Sequence, residues 1–268
     1  MRPIIINADD YAMDTSVDAG ILHLAAKGVV TATSAMVLSP HWPEAARASR
    51  DAAPLSLGLH LDLTSRFAGD GAPPPVLSSL LARAQARLLD RFTLRRIIER
   101  QLMLFETHTG AAPDFVDGHQ HVHHLPVVRD VLLEVLECRY GSERSRIGLR
   151  NCTSRKWRGA KAAIIEATGA GRFARLAESK GHTVNSDFAG VYGFAAGTKL
   201  PALWQSWASN LDGPLPLVMC HVAMRIDEAA DGDPIREARY REFDWLASEE
   251  FGLLLNQLAI RPLRWPRA

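Results

Sequence analysis

Short apolar runs alternate with stretches of helical periodicity along the whole chain. The first run, Pro3–Ala8, is dominated by isoleucine and is followed by two aspartates. A run that is apolar at every position is typical of a strand buried on both faces, as in a parallel sheet. The same reasoning predicts further strands over Val29–Leu38, Leu55–Leu63, Phe115–Asp117, Arg146–Asn151, His182–Ala189 and Pro216–His221.

Apolar residues spaced three and four apart indicate helices between these strands. The first helical stretch covers Val17–Ala25, and the longest spans Leu77–Thr107. The other helices are predicted over His41–Ala52, Val127–Arg139, Gly159–Ser179, Leu200–Asn210 and Arg236–Leu258. Because strands and helices alternate without a break in composition, we expect parallel βα units in a single domain, residues 1–268.

The order of the elements favours an α/β fold, and specifically a (β/α) barrel of the TIM type. Seven or eight βα units fit a barrel better than an open doubly wound sheet, which remains the alternative. The glycine-rich fingerprint of a dinucleotide-binding sheet is absent after the first strand, where Asn7–Tyr11 reads Asn-Ala-Asp-Asp-Tyr. The last apolar segment, Ile260–Trp265, is expected to close the sheet.

The composition is that of a soluble globular protein, since 47% of the 268 residues are hydrophobic and 23% are charged. A net charge of +1 gives no electrostatic reason to expect nucleic acid or an anionic membrane as a partner. The three cysteines form no CxxC pair, which favours a reducing compartment. No apolar run reaches about 18 residues, and the N-terminal run is too short for a signal peptide, so we expect no membrane insertion and a cytoplasmic location.

Four histidines, His119, His121, His123 and His124, fall within six positions. Histidines that gather where a strand meets a βα loop are typical of a metal site. A solvated loop or a group of hydrogen-bonded core histidines is the alternative. On extended backbone His119 and His121 would point to one side, so that either both bind one metal or one binds it and the other supports the substrate.

Polar side chains recur at the carboxyl ends of the predicted strands, which in a βα barrel meet on one rim where active sites lie. They are Asp9, Asp10, His60, Asp62, His119, Arg150, Asp187 and His221. Adjacent Asp9 and Asp10 would face opposite sides of a regular strand, so they can share a site only where the strand breaks. A lone histidine among leucines, such as His60, is usually a core group, but Asp62 shares its face and is placed to orient the ring.

Two histidines and one carboxylate with an open position suit a catalytic divalent cation that activates water. The mixed nitrogen and oxygen ligands fit Zn²⁺ well, and Mg²⁺, Mn²⁺ or Co²⁺ stay open. The residue types alone do not decide which of the clustered histidines bind the cation.

Four motifs occur in one order over most of the chain. They are Asn-Ala-Asp-Asp-Tyr at Asn7–Tyr11, Gly-Leu-His-Leu at Gly58–Leu61, Asp-Gly-His-Gln-His-Val-His at Asp117–His123, and Val-Met-Cys-His at Val218–His221. In this order they resemble the YdjC-like carbohydrate deacetylases, which include chitooligosaccharide and hopanoid-associated deacetylases.

The resemblance implies a distorted (β/α) barrel that binds one divalent metal ion, Mg²⁺ or Zn²⁺. Its implied ligands are Asp10, His60 and His119. Asp9 takes the role of general base, His221 is the candidate general acid, and Arg150 is the candidate tether for Asp9. The implied reaction is the removal of an N-acetyl group from an amino sugar or oligosaccharide by a metal-activated water.

Candidates for contacts with this sugar substrate are His121, His123, Asp187 and the loop Gly190–Phe194. Candidates for stacking on a sugar ring are Trp157, Trp204 and Trp207, although aromatic residues at helical spacing are more often core. Two other functions stay open. One is a metallohydrolase for a phosphoester or cyclic amide, with His119 and His121 both on metal; the other is a saccharide-binding relative without turnover. A homodimer is a possible assembly.

Two positions depart from the family pattern. Ala12 stands where the family commonly has glycine, and Val222 stands where it often has proline. Because glycine reaches positive φ without strain, the alanine is expected to alter the shape of the first loop. Both departures concern loop shape, so they bear on substrate choice more than on activity.

Overall fold

The computed structural model describes residues 1–52, 54–69, 73–226 and 232–266. Its strands are Arg2–Tyr11 (β1), Ala32–Ala35 (β2), Ser56–Leu61 (β3), Phe115–Gly118 (β4), Gly148–Leu149 (β5), Asp187–Ala189 (β6), Pro216–Cys220 (β7) and Ile260–Pro262 (β8). Each predicted strand is present. Most are shorter than the run that predicted them, because only the paired part of the run joins the sheet.

The helices surround these strands. They are Thr15–Ala26 (α1), Trp42–Asp51 (α2), Leu77–Gln85 (α3), Arg91–Thr109 (α4), Val128–Tyr140 (α5), Ala160–Ile165 (α6), Gly171–Ser179 (α7), Leu200–Asn210 (α8), Arg236–Leu246 (α9) and Glu249–Gln257 (α10). Short 3-10 turns cover His119–His124 and Gly141–Arg146, and a π turn covers Glu166–Ala170. In the part of the chain that the structure describes, no helix is both long and apolar enough to cross a bilayer.

Seven strands form one curved parallel sheet in the order β5-β4-β3-β2-β1-β7-β6. Its two edges approach each other, because Leu149 of β5 forms an isolated parallel bridge with Val184. The N–H of Leu149 also donates to the carbonyl of Thr183 at 2.8 Å. A parallel sheet that curls until its edges meet, with helices outside, is a distorted (β/α) barrel, so the predicted fold class is confirmed.

The segment Ile260–Trp265 does not close the barrel, and that expectation is wrong. Its strand β8 pairs with Arg2–Ile4 of β1, next to the residues Ile5–Ala8 that pair with β7. The N-terminal end of β1 extends beyond β7 and therefore has room for this third neighbour. Trp265 is buried and stacks on Phe115 with ring centroids 5.0 Å apart, so this one side chain of the segment packs in the barrel interior.

The isoleucine run of β1 is buried on both faces, as predicted. Ile5 packs inside the barrel with Phe115 and Leu217. Ile4 and Ile6 face the larger cluster that the sheet forms with the helices. Because successive residues of a strand point to opposite faces, a wholly apolar strand supplies both layers of the core.

The predicted helix over Leu77–Thr107 is two helices, α3 and α4, separated by a turn. Arg87 has a φ of +58° in that turn. The side chain of Asp90 then caps α4 by accepting a hydrogen bond from the N–H of Thr93 at 2.8 Å. The apolar spacing continues across the break, so periodicity alone did not reveal it.

The strand before the histidines ends at Gly118, and the next residues form a tight turn rather than extended backbone. Gln120 and His121 have φ values of +53° and +63°. His119 faces the end of β1, whereas His121 Nδ1 lies 3.7 Å from Cys152 Sγ. The expectation that His119 and His121 point to one side is therefore wrong, since left-handed residues turn the chain between them.

Candidate active site

A cavity of about 440 Å³ lies at the carboxyl ends of the strands. Five of the eight polar side chains expected on this rim line it, and so does His121: the five are Asp9, Asp10, His60, His119 and His221. Apolar side chains, among them Leu77, Leu81 and Leu125, complete the wall. Apolar walls with a few convergent polar groups are the usual form of a ligand-binding pocket.

Both aspartates of β1 reach this cavity because the end of the strand is bulged. The register with β2 shifts between Ala8 and Tyr11, and Asp10 has a φ of +71°. In a regular strand Asp9 and Asp10 would face opposite sides, but a bulge re-aims side chains. The sequence predicts that Asp9 and Asp10 share a site only if the strand breaks, and this bulge is that break.

Ala12 follows the bulge and has a φ of +69°, so the loop keeps the left-handed conformation that glycine favours. An L-residue is strained there by about 1 kcal/mol or more. We expect Ala12→Gly to raise the free energy of unfolding by about 1 kcal/mol and the melting temperature by about 2–4 °C, measured by denaturant and thermal unfolding. A lower melting temperature would mean that packing of the buried Ala12 methyl group outweighs the backbone strain.

Asp10, His60 and His119 bring their potential ligand atoms together in the cavity. Asp10 Oδ1 lies 3.3 Å from His60 Nε2 and 3.0 Å from His119 Nδ1. One carboxylate oxygen and two imidazole nitrogens, all within 4.8 Å of one another, fit a single divalent cation. We call these three, which could hold such a cation, the ligand residues. Asp10 and His60 lie near the carboxyl ends of β1 and β3, and His119 follows β4, so the curvature of the sheet brings them together.

The ring of His60 is held from behind by Asp117 and not by Asp62. His60 Nδ1 lies 2.6 Å from Asp117 Oδ1, which leaves Nε2 on the cavity side. A carboxylate behind a metal-binding histidine sets the orientation and tautomer of the ring. Asp62 instead accepts hydrogen bonds from the N–H groups of Thr64 and Ser65 at 3.1 and 2.9 Å, because the chain turns directly after it. The interpretation of Asp62 as the orienting partner is therefore wrong.

The charges of the ligand residues are set by their buried neighbours. Burial lowers the pKa of His60, but Asp117, Asp10 and Asp9 together raise it to about 10. The ring must therefore release a proton to bind a cation. Burial raises the pKa of Asp10, yet the Arg239 charge and a hydrogen bond with His119 hold it well below its usual range, so the carboxylate is ionised.

Asp9 lies beside the ligand residues as an ionised carboxylate. Its oxygens accept hydrogen bonds from Arg150 Nη2 and Nη1 at 2.6 and 2.7 Å, the pairing expected of Arg150. Burial raises the pKa of Asp9, but the charge and hydrogen bonds of Arg150 outweigh it and hold the pKa below its usual range. Arg150 also forms an ion pair with Asp117, so one guanidinium connects the two carboxylates.

His221 follows β7 and lines the same cavity. Burial lowers the pKa of its imidazole to about 4, although Asp9 and Asp10 act in the opposite direction, and the ring is neutral at pH 7. Its Nδ1 is buried and has no hydrogen-bond partner within the described part of the chain. Nε2 is therefore the nitrogen that a ligand in the cavity can reach.

Two residues expected as sugar contacts, His123 and Asp187, lie outside the cavity. His123 is fully buried, and its Nε2 lies 2.9 Å from a backbone carbonyl. Asp187 accepts a hydrogen bond from Arg158 Nη2 at 2.6 Å. Both side chains hold the surrounding backbone and loops, whereas His121 and the loop Gly190–Phe194 border the cavity as expected.

The three tryptophans considered for sugar stacking lie in different surroundings. Trp204 and Trp207 on α8 are only 1% and 5% exposed and pack in the core, so stacking is wrong for them. Trp157 is 77% exposed and borders a separate shallow depression. The alternative prediction, that tryptophans at helical spacing are core residues, is therefore correct for Trp204 and Trp207.

Two buried ionisable residues of α9, Arg239 and Glu242, complete the site and were not predicted. Arg239 Nη2 donates a hydrogen bond to Asp10 Oδ2 at 2.6 Å. Glu242 Oε2 accepts from the backbone N–H of His221 at 3.1 Å, and its Oε1 accepts from the Tyr192 hydroxyl at 2.8 Å. One helix therefore contacts both a ligand residue and the loop that carries His221.

Curated relatives match part of this chain. The carbohydrate deacetylase of Enterococcus faecalis is 34% identical over 131 residues, which are 46% of this chain and 50% of that protein. The chitooligosaccharide deacetylase of Serratia marcescens is 33% identical over 132 residues, 47% of this chain and 52% of that protein. Each match spans about half the length of the relative.

A crystal structure from Enterococcus faecalis, provisionally named for cellobiose-phosphate cleavage, superposes with a TM-score of 0.74. The superposition covers 98% of this chain and 97% of the other at 21% sequence identity, so the likeness concerns the fold. Residues 3–257 match the family described as YdjC-like protein. That match runs through every strand of the curved sheet and all of the cavity residues named above, and the chain belongs to the YdjC-like family.

Proposed function

We propose that the protein is a metal-dependent hydrolase that removes the N-acetyl group from an amino sugar or oligosaccharide. The observation that carries the proposal is the convergence of the ligand residues beside an ionised Asp9 in one cavity. Amide hydrolysis needs an activated water and a base that takes its proton. The substrate class comes from relatives named carbohydrate deacetylase and chitooligosaccharide deacetylase.

Asp10, His60 and His119 would hold one divalent cation, Mg²⁺ or Zn²⁺. Such a cation, when bound, lowers the pKa of water and polarises an amide carbonyl. The chain itself supplies orientation, because Asp117 fixes the His60 ring and Arg150 fixes the carboxylate of Asp9.

Asp9 accepts the proton of the attacking water, and His221 delivers a proton to the amide nitrogen as the C–N bond breaks. Because the His221 ring is neutral at pH 7, it first takes up the water proton that Asp9 accepted and then passes that proton to the amide nitrogen, which returns Asp9 and His221 to their starting protonation states. The products are acetate and a free amine. Without that proton the amine is a poor leaving group, so the pairing of a base with a proton donor in one cavity supports the proposal.

Acetate release tests this function. We expect the protein, incubated with Zn²⁺ or Mg²⁺ and an N-acetylglucosamine oligomer, to form acetate and free amine in equal amounts. A chelator should reduce the rate to background, and added metal should restore it, because removal of the cation leaves the attacking water without the group that lowers its pKa. Saccharide binding without acetate, in every divalent metal tested, would contradict the proposal and favour a relative without turnover.

A second outcome would point to the other metallohydrolase. In that alternative His119 and His121 share metal and a phosphoester or cyclic amide is cleaved. Its support is weaker, because His121 Nδ1 lies near Cys152 Sγ while His119 Nδ1 faces Asp10. Metal counting per chain together with the acetate-release assay distinguishes the two, since the proposed deacetylase binds one ion and releases acetate, whereas the alternative can use two ions and releases none.

A further inference from the structure

The carboxylate of Asp10 has two oxygens with different neighbours. Oδ1 faces His60 Nε2 at 3.3 Å and His119 Nδ1 at 3.0 Å. Oδ2 instead accepts a hydrogen bond from Arg239 Nη2 at 2.6 Å. One oxygen is thus directed toward the ligand residues, and the other is held by a cation from α9.

Arg239 is itself fixed in place. It is 2% exposed, and its Nε donates to Asp233 Oδ2 at 2.7 Å. Its Nη2 also lies 3.3 Å from the sulfur of Met13. A guanidinium held by a second carboxylate through another edge of its planar fork cannot rotate away from Asp10 without breaking a buried ion pair.

We propose that Arg239 is a positioning residue that restricts Asp10 to a single oxygen donor toward the divalent cation. The inference rests on the proposed metal-dependent function. A carboxylate can bind a cation through one oxygen or through both, and the second mode uses a coordination position. By occupying Oδ2, Arg239 keeps that position open for water and for the substrate carbonyl, which a catalytic site requires.

The local charge supports this role over a simple structural one. Asp9, Asp10 and Asp117 lie close together in the buried site, and Arg150 already pairs with two of them, Asp9 and Asp117. Arg239 is the cation that pairs with the third. A residue of α9 that served only for packing would not need to donate a hydrogen bond to Asp10 Oδ2, the oxygen that does not face His60 and His119.

The variant Arg239→Met tests the inference, with Co²⁺ as the probe ion. Methionine keeps much of the side-chain volume and removes the donor to Oδ2. We expect the absorption spectrum of the Co²⁺-loaded variant to weaken and shift as Asp10 binds through both oxygens, and we expect Co²⁺ affinity not to fall. The kcat/KM for acetate release should fall about 10–100-fold, the usual range for residues behind metal ligands.

Arg239→Lys is the second variant, and it carries the test if Arg239→Met does not fold. A lysine ammonium keeps the charge but lacks the two separate nitrogens with which Arg239 contacts Asp233 and Asp10, so a smaller spectral change in the same direction is expected. Arg225→Met is the matched control. Arg225 also forms an ion pair with an aspartate of α9, Asp244, at 2.8 Å, but this arginine is exposed to solvent. It should leave spectrum and kcat/KM unchanged.

The outcomes separate this inference from the function on which it rests. A Co²⁺ spectrum identical to that of the parent protein, in whichever Arg239 variant folds, overturns the positioning role. Loss of Co²⁺ affinity together with a lower melting temperature and an unchanged spectrum also overturns it, since Arg239 would then act only on the fold. If the parent protein binds no Co²⁺, the proposed function itself fails.

Discussion

Replacing Asp9 by asparagine is expected to lower kcat for acetate release by about 10²–10⁴-fold, the usual contribution of a general base. Asparagine keeps the size of the side chain but cannot accept a proton from water. The variant should still bind one divalent cation, because Asp9 is paired with Arg150 and is not one of the ligand residues. Steady-state kinetics on an N-acetylated chitooligosaccharide and metal analysis of the purified protein measure the two effects.

Asp14→Asn is the matched control for this experiment. Asp14 caps α1 by accepting a hydrogen bond from the N–H of Val17 at 2.9 Å, and asparagine caps a helix about as well as aspartate. Its kcat and metal content should equal those of the parent. An Asp9→Asn variant with parental kcat would remove Asp9 from the mechanism, and one without metal would make Asp9 a ligand instead.

Asp117→Asn is expected to have the largest effect on stability, a loss of about 3–5 kcal/mol in the free energy of unfolding. Asp117 is fully buried between His60 Nδ1 and the Arg150 guanidinium, so its neutralisation leaves buried cations with fewer partners. The same change should weaken divalent cation binding about 10–100-fold, because His60 loses the group that orients its ring. Denaturant unfolding of the metal-free protein and titration with Zn²⁺ measure the two quantities.

Asp62→Asn is the matched control for Asp117→Asn. Both carboxylates lie near His60 in sequence or in the sheet, but Asp117 is the one that contacts the histidine ring. Asp62 is equally buried, but it binds Thr64 and Ser65 rather than the histidine ring. Asparagine can still accept from both N–H groups, so Zn²⁺ affinity should be unchanged. Equal losses of affinity in the Asp62 and Asp117 variants would contradict the assignment of Asp117 as the residue that orients His60.

The positions of the site residues along the chain could be predicted because parallel strands end on one rim. Asp10, His60 and His119 each lie at or near the carboxyl end of an apolar run, and the pattern of those runs is local in sequence. The partners of these residues could not be predicted in the same way. Strand periodicity chose Asp62 for His60, since it considers one strand at a time, whereas Asp117 reaches the ring from the neighbouring strand β4.

The residues of α9 are a second case in which burial, but not the bonding partner, could be predicted from the sequence. Glu242 stands four residues from both Ala238 and Leu246, within the apolar stripe of its helix, where a charged residue needs a buried partner. That spacing could have indicated that Glu242 is buried. It could not indicate that its partners are Tyr192 and the backbone of His221, because those contacts depend on how the helix lies against the rim.

The sequence by itself determined the order of the strands, the alternation of strands with helices, the curved parallel fold and the family, because the apolar periodicity and the motif order are local properties of the chain. Only the tertiary structure decided which side chains on the rim face the cavity and which partners they contact. The bulge turns Asp9 and Asp10 to one side, the turn after Gly118 separates His119 from His121, and α9 supplies Arg239. Each of these depends on contacts between distant segments or on a single left-handed residue, and neither leaves a periodic signal in the chain.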